Sequence, residues 1–258
     1  MKRSPTSDGN KRVWTSSFWI KRTRLGVQQK ILEAGSSSSS FVSFEFQADD
    51  KLQLYAYADS ATQVHLKTAA LYRDTSAWYH IVFRCDTTNG TAGDRLRLYV
   101  NGVEETSFAT DNNPSLNDDT EVNNTQKFEL GSVGATTQNF DGYMAEVCLV
   151  DGSSLAPTSF GEFDEDSPTI WKPKDVSGLT FGTNGFYLDF ENSGSLGADV
   201  SGNSNNFTVN NLTSVDQSTD TCTNNFATLN PLASSIAVSY THLRAHETLR
   251  YLVCRLLL

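Results

Sequence analysis

Along the first 150 residues, apolar side chains recur at every second position in short runs broken by Gly, Asn, Asp and Ser. Successive side chains of an extended chain point to opposite sides, so this period marks strands with one face on a core. Trp14, Phe18 and Ile20 share one face of a first strand, and Val42, Phe44 and Phe46 share one face of another. Leu52, Leu54 and Ala56 alternate with Gln53, Tyr55 and Tyr57. Between Tyr79, Ile81 and Phe83 the intervening Trp78, His80 and Val82 are also bulky, which predicts a strand buried on both faces. Leu96, Leu98 and Val100 alternate with Arg95, Arg97 and Tyr99 and end in Asn101-Gly102. Asn-Gly after an alternating strand predicts a tight hairpin with two positive φ angles, setting Val100 opposite Val103.

A second hairpin can be registered from its side chains. With residues 59–61 as the loop, Ala58 faces Thr62, Ala56 faces Val64 and Leu54 faces Leu66, so the apolar pairs share one face. The other face then carries Tyr55 opposite His65, Tyr57 opposite Gln63 and Gln53 opposite Lys67. Residues 109–126 are rich in Asn and Asp and read as a long surface loop. Phe128 and Leu130 resume a strand, and a further strand runs from Tyr143 to Val150. Ser154 to Phe160 suits a single helical turn, with Pro157 in its first turn. From Phe163 to Pro173 the chain reads as irregular, because Pro168 and Pro173 oppose a central strand. Two short strands follow, Phe186 to Phe190 and Asn206 to Val209, among Gly- and Asn-rich segments.

Residues 238–258 change character, with no Gly, Asn, Asp or Pro. This stretch resembles the translated read-through of a sequencing adapter, and a genuine C-terminal helix is the alternative. The expected organisation is a frayed and truncated N-terminal segment at 1–12 and an all-β sandwich at 13–162. A loop-rich extension at 163–237 would complete that sandwich or open a second domain, and 238–258 would be a non-native tail.

Composition narrows the function classes. A chain of 258 residues accommodates one sandwich and a flanking segment. Its 20 basic and 30 acidic residues give a formal charge of −10, which disfavours a nucleic-acid partner because phosphate neutralisation needs clustered Lys and Arg. No apolar run approaches the ~20 residues of a membrane span, and Met1 to Ser7 lacks the apolar core of a secretory signal. Cys85, Cys148, Cys222 and Cys254 lie far apart, which argues against a disulfide framework or a zinc site. Cys85 and Cys148 sit in strand-like contexts and read as buried thiols.

Several blocks, in order, resemble the laminin-G-like jelly-roll domains of the concanavalin A-like lectin/glucanase superfamily. Trp14 to Lys21 and Trp78-Tyr79-His80-Ile81-Val82 resemble two of its strands, and Leu96 to Gly102 resembles its hairpin. Phe140 to Val147, followed by Leu155 to Phe160, resembles its closing strand and short helical exit. Phe186 to Glu191 and Asp199 to Asn206 resemble the opening of such a domain, out of the usual order. The combined arrangement, with Asn225 to Leu232, is similar to large structural proteins of marine bacteriophages. The resemblance implies an antiparallel two-sheet jelly roll in a virion, assembled in the host cytoplasm, with other virion subunits or a host-surface glycan as partners. Three functions follow from it: a non-catalytic carbohydrate- or protein-binding module, a purely architectural virion domain, or a glycoside hydrolase.

The candidate chemistry is thin. Glu162-Phe163-Asp164-Glu165-Asp166 approaches the paired-carboxylate strand of the superfamily's glucanases, but Pro168 follows at once and a solvated acidic loop fits better. His65 and His80 lack a nucleophile in an activating context, and His80 reads as packed in the core. Asp199, Asn203 and Asn205, around Ser201-Gly202, form an oxygen-rich loop that could hold Ca²⁺ or simply brace a turn. Tyr55, Tyr57, His65, Lys67 and Tyr99 form the candidate ligand set, offering rings for sugar C–H faces and polar groups for hydroxyls.

Overall fold

The alternating segments form strands that collect into two antiparallel sheets in a computed structural model, which describes residues 1–37, 39–58, 61–132 and 138–223. The strands are β1 (Lys2–Arg3), β2 (Val13–Arg22), β3 (Gln29–Ser37), β4 (Ser40–Phe46), β5 (Leu52–Ala58), β6 (Ala61–Thr68), β7 (Tyr79–Asp86) and β8 (Leu96–Val100). They continue as β9 (Val103–Glu104), β10 (Phe108–Asn112), β11 (Lys127–Leu130), β12 (Gly142–Asp151), β13 (Gly161–Phe163), β14 (Trp171–Pro173) and β15 (Phe186–Leu188). One sheet has seven strands in the order β1-β11-β3-β4-β5-β6-β10, and the other has six in the order β15-β12-β2-β7-β8-β9. The block from Asn225 to Leu232 and the tail from Val238 to Leu258 lie outside the described residues.

The two sheets face each other across the residues that the alternation selected. Trp14, Phe18 and Ile20 from β2, Val42, Phe44 and Phe46 from β4, and Leu52, Leu54 and Ala56 from β5 are all buried in one core. Phe44 ties the layers together, its ring meeting Trp14, Phe18 and Phe83 edge-on at 5.8, 5.7 and 5.2 Å. Each such burial contributes about 1.5–3 kcal/mol, and edge-to-face contact adds to it. β7 is buried on both faces, as its double pattern predicted. The hairpin forms as expected, with Val100 opposite Val103 and φ of 49° and 78° at Asn101 and Gly102. Gly102 is required twice, because a Cβ there would also lie 2.5 Å from the Trp171 ring.

A charged group closes one end of the core. The buried Arg22 guanidinium donates to Tyr72 O at 2.7 Å and to Asp50 Oδ1 at 3.1 Å, and stands 4.2 Å from the centre of the Phe46 ring. Burial would raise the Asp50 pKa, but donors on Gly26, Arg73 and Arg22 outweigh it and hold the carboxyl below its ordinary value.

Several expectations change. The first twelve residues do not fray. Lys2 and Arg3 pair with Glu129 and Phe128, and Arg3 donates to Asn184 O at 3.2 Å. In the β5–β6 hairpin the register runs as expected from Gln53↔Lys67 to Ala56↔Val64, but a bulge near the turn sets Tyr57 opposite Thr62 and Ala58 opposite Ala61. The shorter connection absorbs one residue into the strand, which takes Gln63 out of the ladder. Residues 109–126 are not wholly a surface loop: Phe108–Asn112 is an edge strand on β6, and Val122, Asn123 and Asn124 are buried. Asn123 can be buried because its side-chain amide donates to Asn10 O and to Asp151 Oδ1.

Downstream, the segment expected to be irregular forms the β13–β14 hairpin, outside both main sheets, where Pro173 costs no central ladder bond. The helical turn is a 3-10 turn at Pro157–Ser159. The strand expected over Phe186 to Phe190 is the shorter β15, since Phe190 takes φ 60° and leaves the extended conformation. β15 pairs with β12, and Phe186 and Phe207 pack ring to ring at 4.8 Å within the main core. Asn206 to Val209 makes only a bridge between Thr208 and Lys2. Cys85 and Cys148 are buried free thiols, as read from their contexts. Among the described residues, no helix is long and apolar enough to cross a membrane.

Candidate functional site

The outward positions of the seven-stranded sheet alternate with its core residues along each strand. Cross-strand pairing aligns them into rows. One row runs Lys2, Glu129, Glu33, Ser43, Tyr55, His65 and Asn112 across all seven strands. A second places Gly35, Phe41 and Tyr57 side by side, and a third runs Lys30, Glu45, Gln53, Lys67 and Thr110. Tyr55, Tyr57, His65 and Lys67, expected to share a face, therefore do so.

Aromatic rings gather at one end of this face. Tyr55 and Tyr57 lie 6.5 Å apart with planes within 17°, and Phe41 stands 5.9 and 6.1 Å from them. His65 meets Tyr55 edge-on at 5.2 Å, and the Lys30 ammonium lies 5.1 Å from the Phe41 ring centre. Tyr55 and Thr62 share a hydrogen bond between hydroxyls at 3.0 Å.

The other end is an ordered polar network. Glu45 Oε1 accepts from the side-chain amides of Gln53 at 2.6 Å, Gln28 at 3.1 Å and Gln47 at 2.5 Å, while Oε2 accepts from Ser43 Oγ at 2.8 Å. The Gln53 amide nitrogen is spent on Glu45, so its oxygen accepts, and His65 Nε2 is the donor in their 3.1 Å contact. Burial and the nearby Lys67 lower the His65 pKa. Three cations on the face are paired with carboxylates: Lys67 with Asp49 at 2.8 Å, Lys127 with Glu129 at 2.9 Å, and Lys30 with Glu33. The result is a half-buried, nearly neutral face with rings at one end and fixed amide and carboxylate groups at the other. Phe41, Glu45 and Lys30 were missed in the sequence, although the parity of Val42 and Phe44 already turned residues 41 and 45 outward.

Tyr99 does not belong to this set. It lies on β8 in the other sheet and is buried with Val82, Cys148, Val150 and Phe160 beneath Val176 and Phe181. Its position alternates with core residues, but the chain after β12 covers that face as well.

The geometry of the Asp199 loop favours the turn-bracing alternative over the calcium reading. Asp199 Oδ1 accepts from the backbone N–H groups of Tyr187 and Ser201, and Oδ2 from Ser201 Oγ and Asn205 N. Asn203 and Asn205 turn their amide nitrogens to the carbonyls of Gly182, Thr183 and Gly185, and Asn205 Oδ1 accepts from Arg3. The side-chain oxygens of Asp199 and Asn205 are engaged by N–H and O–H donors, one of them the Arg3 guanidinium. The loop is a turn braced by its own side chains.

Glu162 and Asp164 lie on the exposed β13–β14 hairpin, where Lys172 approaches them at 3.7 and 3.2 Å. The hydrogen bond from Lys172 holds the Asp164 carboxyl below its ordinary pKa, which opposes a role as general acid.

His80 is packed in the core, as read from its strand. Ser17 Oγ lies 2.9 Å from His80 Nε2, but Trp171 Nε1 donates to Nδ1 at 2.8 Å. An indole only donates, so Nδ1 is the acceptor and Nε2 carries the proton that meets Ser17. Nε2 therefore has no lone pair with which to activate the hydroxyl, and burial pushes the His80 pKa down to about 3.

Fold and site together define an antiparallel jelly-roll sandwich with a built polar and aromatic surface on one sheet. Residues 3–156 match the Laminin_G_3 family model, and the chain belongs to this family of the concanavalin A-like lectin/glucanases superfamily. No curated protein matches the sequence. Among solved structures, a heptameric SAP-like pentraxin from Limulus polyphemus is similar at 14% identity and TM-score 0.43, covering 60% of this chain and 70% of its own. Domain 4 of AbnA, a GH43 extracellular arabinanase from Geobacillus stearothermophilus in complex with arabinotriose, is similar at 22% identity and TM-score 0.44, covering 60% and 68%. The CBM40 of a Ruminococcus gnavus IT-sialidase, bound to α2,3-sialyllactose, is similar at 14% identity and TM-score 0.39, covering 55% and 86%.

Proposed function

We propose that this chain is a non-catalytic carbohydrate-binding module that takes a neutral glycan on the outer face of its seven-stranded sheet. The observation that carries the reading is the cluster of Phe41, Tyr55 and Tyr57 set beside the ordered Gln53–Glu45–His65 network. Rings of this kind take the apolar C–H faces of a sugar, while amides and carboxylates fixed by neighbours take its hydroxyls at little entropic cost. The pairing of Lys30, Lys67 and Lys127 with carboxylates favours a neutral ligand over a sialylated or phosphorylated one. The resemblance to bacteriophage structural proteins supports placing the module on a virus particle, where the glycan would belong to the host surface.

The test is a glycan array followed by calorimetric titration of the full chain and of Tyr55→Ala. A neutral oligosaccharide should bind, and Tyr55→Ala should weaken it at least about tenfold with an unchanged melting temperature. Silence across the array, with the protein folded, would refute the reading in favour of a purely architectural domain.

A further inference from the structure

A cleft of about 990 Å³ opens at the far edge of the same sheet, between β1 and β11, the start of β12, and the chain from Asp189 to Thr221. Glu129 on β11 stands three strands from Tyr55 on β5, roughly 14 Å at the usual strand spacing, so this is a different place from the face described above.

The wall formed by the later chain is fixed in position. The Asp220 carboxylate pairs with the buried Lys21 ammonium at 2.7 Å and accepts from Trp78 Nε1 at 3.3 Å. Gln217 donates its side-chain amide to Phe190 O at 2.7 Å and to Glu191 O at 2.8 Å. Asp216 and Thr213 cap the short turn just before Gln217 in a reciprocal hydrogen-bonded box.

The lining is mixed. Tyr143 is 38% exposed and stands 6.4 Å from Trp78, and Phe140 and Phe190 add half-buried ring surface. Asn210, Asn211 and Ser218 supply neutral hydrogen-bonding groups. The volume is at the upper end of the range of about 300–1,000 Å³ for small-molecule sites, enough for several sugar units. Asp189 and Glu191 flank Phe190, and with Glu129 and Asp216 they outnumber Lys2 and the Met1 ammonium in the lining, while Asp220 is already paired with Lys21. Carboxylates accept hydrogen bonds from hydroxyls but repel an anionic sugar.

We infer that this cleft is a second glycan site, for a neutral oligosaccharide, independent of the outer face of the sheet. Its occupant stacks on Tyr143 and hydrogen-bonds to the amides and carboxylates around Phe190. A module with two sites on one rigid frame would hold a branched or repeating glycan by avidity.

The test titrates cellohexaose, xylohexaose, laminarihexaose and N-acetylchitohexaose, with sialyllactose as the anionic control, into the full chain and three variants. Tyr143→Ala removes the stacking ring, and Leu212→Trp fills the cleft from a residue that is 40% exposed. Tyr55→Ala disables the other face. A neutral hexasaccharide should keep one binding site after Tyr55→Ala removes the site on the outer face, and that residual site should weaken at least about tenfold when either cleft substitution is added, while sialyllactose does not compete for the cleft. Binding that is lost in Tyr55→Ala and untouched by both cleft variants overturns the second site and leaves the first standing. Binding of sialyllactose that the cleft variants abolish overturns the assignment to a neutral ligand. No binding to any probe overturns both sites.

Discussion

His80 makes the stability of this domain depend on pH in a calculable way. The ring is fully buried between the indoles of Trp19 at 4.6 Å and Trp171 at 5.9 Å, with both nitrogens engaged. In the unfolded chain the imidazole takes a proton near pH 6.5, whereas burial pushes its folded pKa down to about 3. The unfolded state therefore binds more protons than the folded state between these values, and stability falls as pH falls through that window. Above pH 6.5 both states are neutral and His80 contributes no pH dependence. At about 1.36 kcal/mol per unit, the loss is about 2 kcal/mol at pH 5 and about 4 kcal/mol by pH 3. The perturbation is His80→Gln, which keeps a donor toward Ser17 and cannot titrate. Urea unfolding followed by tryptophan fluorescence at pH 7, 6 and 5 gives both stabilities, and their difference cancels the carboxylates and His65 that the two proteins share. The variant should be less stable at pH 7, and its deficit should shrink by about 2 kcal/mol at pH 5. A deficit constant within about 0.5 kcal/mol over that range would show that His80 is not held neutral, and the reasoning would fall.

Two further outcomes follow from buried polar groups. Asp50→Ala strands the Arg22 guanidinium in the core and should cost about 3–5 kcal/mol in urea unfolding, whereas a loss below about 1 kcal/mol would mean that Arg22 escapes to water. Asp199→Ala should lower the melting temperature by removing the acceptor of four hydrogen bonds. Millimolar Ca²⁺ or EDTA should leave the wild-type melt unchanged, and a calcium-dependent rise in that melt would restore the metal reading.

What the chain encodes locally could be read from it directly. Period-two alternation determines which side chains of a strand share a face, and it put Trp14 with Phe18, Val42 with Phe44, and Leu52 with Leu54 before any pairing was known. Asn101-Gly102 set its own hairpin because few dipeptides accept two positive φ angles. The β5–β6 register was legible wherever a slip would have carried Leu54 and Leu66 out of the core, and it failed near the turn, where Tyr57 and Ala58 carry no such penalty.

Other features depend on contacts between segments far apart in sequence, which alternation does not record. The tertiary fold decided that β11 adds to β3 and β1 to β11, extending the outer face to Glu129 and Lys2 and forming one wall of the cleft. It decided that Val176 and Phe181 cover Tyr99 while Tyr55 and Tyr57 stay half-buried, although all three sit at outward positions of good strands. It also decided which end of each Asn205 and Asn203 amide faces inward, turning an oxygen-rich loop into a donor-braced one. A side chain's parity follows from its own strand, but what lies above it follows from chain that returns much later in the sequence.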